Sequence, residues 1–220
     1  EFPDKATARS LANLPQSIKD NLKELDVQAK RHGGIHAASG TLGSSASGSV
    51  RLALLRIVFK SVDLPEQYPL ARFVIWLKKE GILDSVRKTV ESNGFNWDEE
   101  LGNLYVCEGI PAALVKIKPN IFSSQLACSE TLRAQYPPVN DVSNDEMVNI
   151  IIQAVSKDGK FPLTLIALDE IQQFIGEDSE RSMDVQEVVE ACCKKIGGKL
   201  LFIGTGQTAV SGTPNLKKLE

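Results

Sequence analysis

Four things are scarce or missing in this chain, and each absence excludes a class of function. No apolar run approaches the roughly 20 residues that a membrane-crossing helix needs, and no charged-then-apolar leader opens the sequence, so no membrane role is expected and a cytoplasmic location is. Cysteine is sparse. Cys107, Cys128, Cys192 and Cys193 include no CxxC pair, which argues for reduced, partly buried thiols rather than a disulfide framework or a thiolate metal site. Histidine is scarcer still: His32 and His36 lie four apart around Gly33-Gly34, and the two glycines disfavour the helix that such a spacing needs for zinc ligation. Positive charge is not in excess either. The net charge of −3 gives no global field for nucleic acid or an anionic membrane, although local basic patches are allowed.

What is present is an ordinary globular composition. The 220 residues are 42% hydrophobic and 24% charged, enough to bury a real core in one domain or in one domain with an insertion. The chain opens at Glu1 without a methionine and stops at Glu220 without a natural terminal pattern, so both ends read as cut boundaries.

Hydrophobic periodicity organises the middle of the chain. Leu11, Leu14, Ile18, Leu22 and Leu25 predict a helix over residues 8–31. Ile35 to Leu42 is a weak strand inside a glycine- and serine-rich stretch. Helices are then expected over 49–60, with Ser47 or Ser49 as N-cap, and over 68–79 and 82–91, the last closing at Asn93-Gly94. Residues 97–137 read as short helices limited by Pro111, Pro119, Pro137 and Pro138. Ser143-Asn144-Asp145-Glu146 is a capping box for a helix that stops at Asp158-Gly159.

The pattern then changes to strand (161–168), helix (184–196) and strand (200–204), the order of a parallel crossover. The first strand ends in Asp169-Glu170. Apolar residues on both its pleat faces imply a central strand buried on both sides. A carboxylate at such a strand end suits Mg²⁺, a hard cation that takes oxygen ligands, and assigns that role to Asp169. A second carboxylate is placed to orient and polarise an attacking water, which makes Glu170 the catalytic candidate. The next strand ends in Thr205-Gly206-Gln207-Thr208 on the same side of the sheet. Thr205 or Gln207 is therefore the polar group that would face the γ-phosphate or the water. The bland alternative is an ordinary strand end at which Asp169 caps the following turn.

The other half of a phosphate site is missing. GxxxxGK[ST] does not occur. Gly43 to Gly48 has the right gap, but Ser49 stands where the lysine belongs and no apolar strand precedes it, so the segment reads as a polar loop and a helix start.

The run 163–176, the segment 184–190 and the stretch 201–209 together resemble the Walker B and sensor regions of the BREX phage-defence ATPase family (BrxC/PglY type). Residues 33–43 and 64–73 are also similar to that family, so the resemblance covers about residues 30–210. It implies an α/β fold: a partial P-loop ATPase core of the AAA+/additional-strand type, with a parallel sheet of two to three strands and a large helical insertion. Residues 1–49 and 159–220 would belong to the core and 50–158 to the insertion. It carries Asp169 over as the Mg²⁺ residue, Glu170 as the catalytic glutamate, and Thr205 or Gln207 as the sensor-like position. ATP and Mg²⁺ would be cofactors of the intact protein, and this chain alone is expected to hold neither tightly and to be inactive. The implied partners are other phage-defence components, further copies of the protein, and DNA indirectly. The resemblance also places the absent P-loop strand beside the 200–204 strand, leaving an open apolar edge there. Two other readings stay open: a non-enzymatic helical docking or oligomerisation module, and a signalling or DNA-loading P-loop ATPase outside phage defence. Arg72 and Arg181 are candidates for acting on a neighbour's phosphate but read first as solvated charges.

Overall fold

Three short strands run parallel in the order β1-β2-β3, and most of the helical chain is inserted between the first two. The computed structural model describes residues 14–42, 49–176 and 178–206. The elements are α1 (Gln16–Arg31), β1 (Ile35–Thr41), α2 (Val50–Lys60), α3 (Tyr68–Lys79), α4 (Leu83–Ser92), α5 (Trp97–Gly102), α6 (Gly109–Ile117), α7 (Gln125–Gln135), α8 (Asn144–Val155), β2 (Leu163–Asp169), α9 (Ile171–Ile175), α10 (Ser179–Ile196) and β3 (Leu200–Gly204). No described helix is long and apolar enough to cross a membrane.

Local chemistry explains most boundaries. The side chain of Ser49 accepts the Leu52 N–H at the start of α2, and that of Ser143 accepts the Glu146 N–H at the start of α8. The second half of the expected capping box does not form. The Glu146 carboxylate instead takes a hydrogen bond from the Tyr68 hydroxyl at 2.5 Å and lies 3.7 Å from Arg72. This ties the start of α8 to α3. Helix α8 ends at Val155, short of the expected stop, and Asp158-Gly159 form a tight turn with both φ angles positive. Helix α10 starts earlier than expected because Asp178 caps it, accepting from the N–H groups of Glu180 and Arg181.

The strand expected over 161–168 is Leu163–Asp169. Pro162 has no N–H to give a ladder, and pairing begins where the Leu163 N–H meets the Gly34 carbonyl at 3.1 Å. As expected, β2 is central, with Ala38 opposite Ile166 on one side and Phe202 opposite Ile166 on the other. The expectation that both faces are buried needs correction. Thr164, Ile166 and Leu168 are buried against the helical body, together with Ala38 and Leu200. The opposite face carries Leu163, Leu165 and Ala167 only half-buried, with Ala37, Leu201 and Ile203 exposed. Among the described residues, the sheet is covered on one side only.

One apolar cluster runs from Ala38 to Leu200 and includes the insertion. Helix α2 packs on β1, and α10 packs on α2, α8 and β3. Phe73, Phe59, Leu55, Leu77, Ile110, Leu114, Ile151 and Ile166 have no accessible surface or almost none. Burial also silences the thiols: it raises Cys107 and Cys192 to about 12 and Cys128 to about 11, so none of the three is a thiolate at neutral pH. All four cysteines are free.

Arg72 and Arg181 stay partly solvated, with side chains 36% and 32% exposed, and each also makes contacts within its own chain. Arg72 lies over the rings of Tyr68 and Tyr136, at 5.6 and 5.8 Å from their centroids. Arg181 lies over Phe174 and donates to the Phe174 carbonyl at 3.0 Å. Both guanidiniums pin helices of their own chain.

Candidate functional site

Parallel pairing brings three strand ends to one edge. Register places Thr41 of β1 directly opposite Asp169 of β2, while Leu168 pairs with Gly204, the last residue of β3. The chain then closes a small corner between β2 and β3. The Thr205 N–H donates to the Leu168 carbonyl at 2.9 Å, and the Ile171 N–H donates to the Thr205 carbonyl at 3.1 Å. These bonds continue the ladder one step beyond the strands and lock the two loops together.

The side chains of Asp169 and Thr205 meet in this corner. The Thr205 hydroxyl donates to Asp169 Oδ1, and the Glu170 N–H donates to the same oxygen at 3.0 Å and to Thr205 Oγ1 at 3.3 Å. Among the described residues nothing hydrogen-bonds to Asp169 Oδ2, and the side chain is exposed. The expected pair Asp169 and Thr205 is therefore in contact, and Glu170 sits in the same turn, half-buried. Gln207, the alternative sensor-like residue, lies outside the described residues.

Glu170 has φ +53° and ψ +36°, the left-handed region that L-residues other than glycine enter at a cost of about 1–3 kcal/mol. The strain has a local cause. The chain must leave β2 and enter α9 at once while giving its N–H to both Asp169 and Thr205. Both Glu170→Gly and Glu170→Ala remove the side chain, but only glycine relieves the backbone, so the glycine variant is expected to be the more stable of the two by up to about 1 kcal/mol. Urea denaturation of the two variants checks this.

Two further residues shape the corner, and neither was assigned a role from sequence. Thr41 belongs to a strand whose small residues gave only a weak signal. Gln172 lies over Gly206 so closely that a Cβ there would meet its side-chain amide carbon at 2.5 Å. The glycine in the Thr205-Gly206 turn is thus a close-approach glycine.

The donor set fits a hard dication of modest coordination demand. Among the described residues no three His, Cys, Asp or Glu side chains gather into a cage. One exposed carboxylate oxygen at a strand end, beside a threonine hydroxyl, matches Mg²⁺ held by one or two carboxylates together with water and phosphate oxygens. The same contacts also cap the turn after β2, as an ordinary strand end would. No protein-family model, curated protein or solved structure matches this chain.

Proposed function

We propose that this chain is the Mg²⁺ and water side of a P-loop ATPase of the additional-strand type, drawn from a protein of the BREX phage-defence kind. The observation that carries the reading is the Thr205–Asp169–Glu170 corner, in which a polar residue after one strand holds the carboxylate after the neighbouring strand. Strand order supports it. In this fold the acid-bearing strand lies between the preceding strand and the sensor strand, and the order β1-β2-β3 agrees.

The open side of the sheet agrees as well. Among the described residues β3 is one of the two edge strands, with Leu201 61% and Ile203 45% exposed. A phosphate-loop strand and its helix would cover that edge and the half-bare face. In the assembled site, Mg²⁺ would supply charge neutralisation at the phosphates. Asp169 Oδ2 would hold it, directly or through water, while Thr205 fixes the carboxylate orientation through Oδ1. Glu170 would orient the attacking water and accept its proton. Oligomerisation and a DNA-associated defence complex as the site of action follow from the resemblance.

The experiment uses a longer form of the protein that carries a phosphate loop upstream of residue 1. Nucleotide binding there should tighten with Mg²⁺, and Asp169→Asn should remove the Mg²⁺ dependence while leaving metal-free binding intact. Equal Mg²⁺ dependence in wild type and Asp169→Asn would sink the metal assignment. One observation favours a non-enzymatic reading: Oδ1 of Asp169 already accepts from the Glu170 N–H of its own turn and from the Thr205 hydroxyl after β3, a structural tie between the two loops. That reading expects no Mg²⁺ effect in either protein.

A further inference from the structure

A groove lies at the other end of the sheet. Helices α3 and α8 run side by side in the same direction, tied at their starts by Tyr68, Arg72 and Glu146. Facing stripes at helical spacing, Arg72, Trp76 and Lys79 on α3 and Asn149 and Gln153 on α8, border a cavity of about 430 Å³. At Ile75, Lys79 and Gln153 it meets a second cavity of about 530 Å³, which reaches His36, Lys78 and Lys157. His36 is near the amino end of β1 and Asp169 at the carboxyl end of β2. The groove is therefore roughly 17 Å of strand away from the nucleotide corner.

The charge in this groove is unbalanced. Lys78, Lys79 and Lys157 are exposed and make no ion pair among the described residues. Glu146 is engaged by Tyr68 and Arg72, which leaves Asp63 as the one other carboxylate in the lining. His36 adds no charge at neutral pH: burial, and secondarily Lys157, keep its pKa below the usual value, and its Nε2 is 2.9 Å from Ser61 Oγ. Since the Ser61 hydroxyl donates to the Val58 carbonyl, His36 is the donor of that pair. The aromatic element is Trp76. It is half-buried, braced on Phe73 with ring centroids 6.1 Å apart, and lines the first cavity beside two side-chain amides.

We propose that this groove binds single-stranded nucleic acid, the three lysines taking backbone phosphates and Trp76 stacking on a base. A cationic track beside an aromatic platform is the general solution for unpaired strands, whose bases are free to stack. Asn149 and Gln153 offer donors and acceptors to a base edge. A duplex keeps its bases stacked and could not reach a ring set inside a groove. The patch is local, so it coexists with the net charge of −3.

The test is fluorescence anisotropy of a short labelled oligothymidylate with the whole chain, read alongside intrinsic tryptophan emission. The chain has two tryptophans, and Trp97 is buried, so quenching reports Trp76. Three neutralised phosphates give a slope of log affinity against log salt of about −2. The combined variant Lys78→Glu, Lys79→Glu and Lys157→Glu changes only exposed side chains, so it should fold, and it should weaken binding at least tenfold. Trp76→Phe should remove the quench. Absence of binding at low salt, binding unchanged by the triple reversal, or binding without quench would each overturn the proposal. So would equal competition by inorganic polyphosphate, which would mark a plain anion site.

Discussion

On the proposed function, Glu170→Gln in a longer form that carries a phosphate loop should lower kcat by roughly 10²–10⁴-fold, the range for removing a positioned general base. The substitution preserves size, shape and the left-handed backbone, and it leaves in place the backbone N–H that residue 170 donates to Asp169 and Thr205. Folding and nucleotide affinity should therefore change little, and KM with them. What is lost is the group that takes a proton from water. Steady-state kinetics with parallel nucleotide-binding measurements would separate the two. Equal losses in binding and turnover would make Glu170 a structural residue of the turn rather than a base.

Phe73→Ala should cost about 3–5 kcal/mol, the range for truncating a fully buried aromatic side chain. Phe73 is 0% exposed and sits where α3 meets the rest of the insertion. Its ring packs edge-on against Tyr136 at 5.5 Å and stacks with Trp76. Tyr136 in turn receives Arg72, so the cavity would also loosen the clamp between α3 and α8. Against a typical stability of 5–15 kcal/mol this is a large fraction, and a partly unfolded population is expected at 37 °C. Val106→Ala is the control. Val106 is 74% exposed, and its truncation should stay within about 0.5 kcal/mol. Urea denaturation followed by far-ultraviolet circular dichroism gives both values. Because the core cluster runs from the sheet through the insertion, both parts should unfold in one transition.

The sheet was legible because its signals are local. An apolar run ending in Asp169-Glu170, then a capped helix, then a second apolar run, suffice to name two parallel strands and the side on which they end. Helix starts at Ser49 and Ser143 were legible for the same reason, since a serine cap acts over three residues. The features that failed depend on partners far along the chain. Glu146 reads as the reciprocal half of a capping box, but Tyr68 lies near enough in space to take its carboxylate. Thr41 carries no signal of its own, and only the pairing of β1 with β2 brings it beside Asp169. The bare face of the sheet was misread because Leu163, Leu165 and Ala167 are apolar whether or not something covers them. The left-handed turn at Glu170 has no sequence signature, since it arises where the Thr205 loop demands the Glu170 N–H.

The most direct test of the central claim is Mg²⁺-dependent ATP turnover by a longer form that carries the phosphate loop the proposed function requires, compared with the 220-residue chain alone. The account predicts turnover that requires Mg²⁺ in the longer form and none in the shorter. Absence of turnover in the longer form with its phosphate loop intact, or turnover indifferent to Mg²⁺, would contradict it.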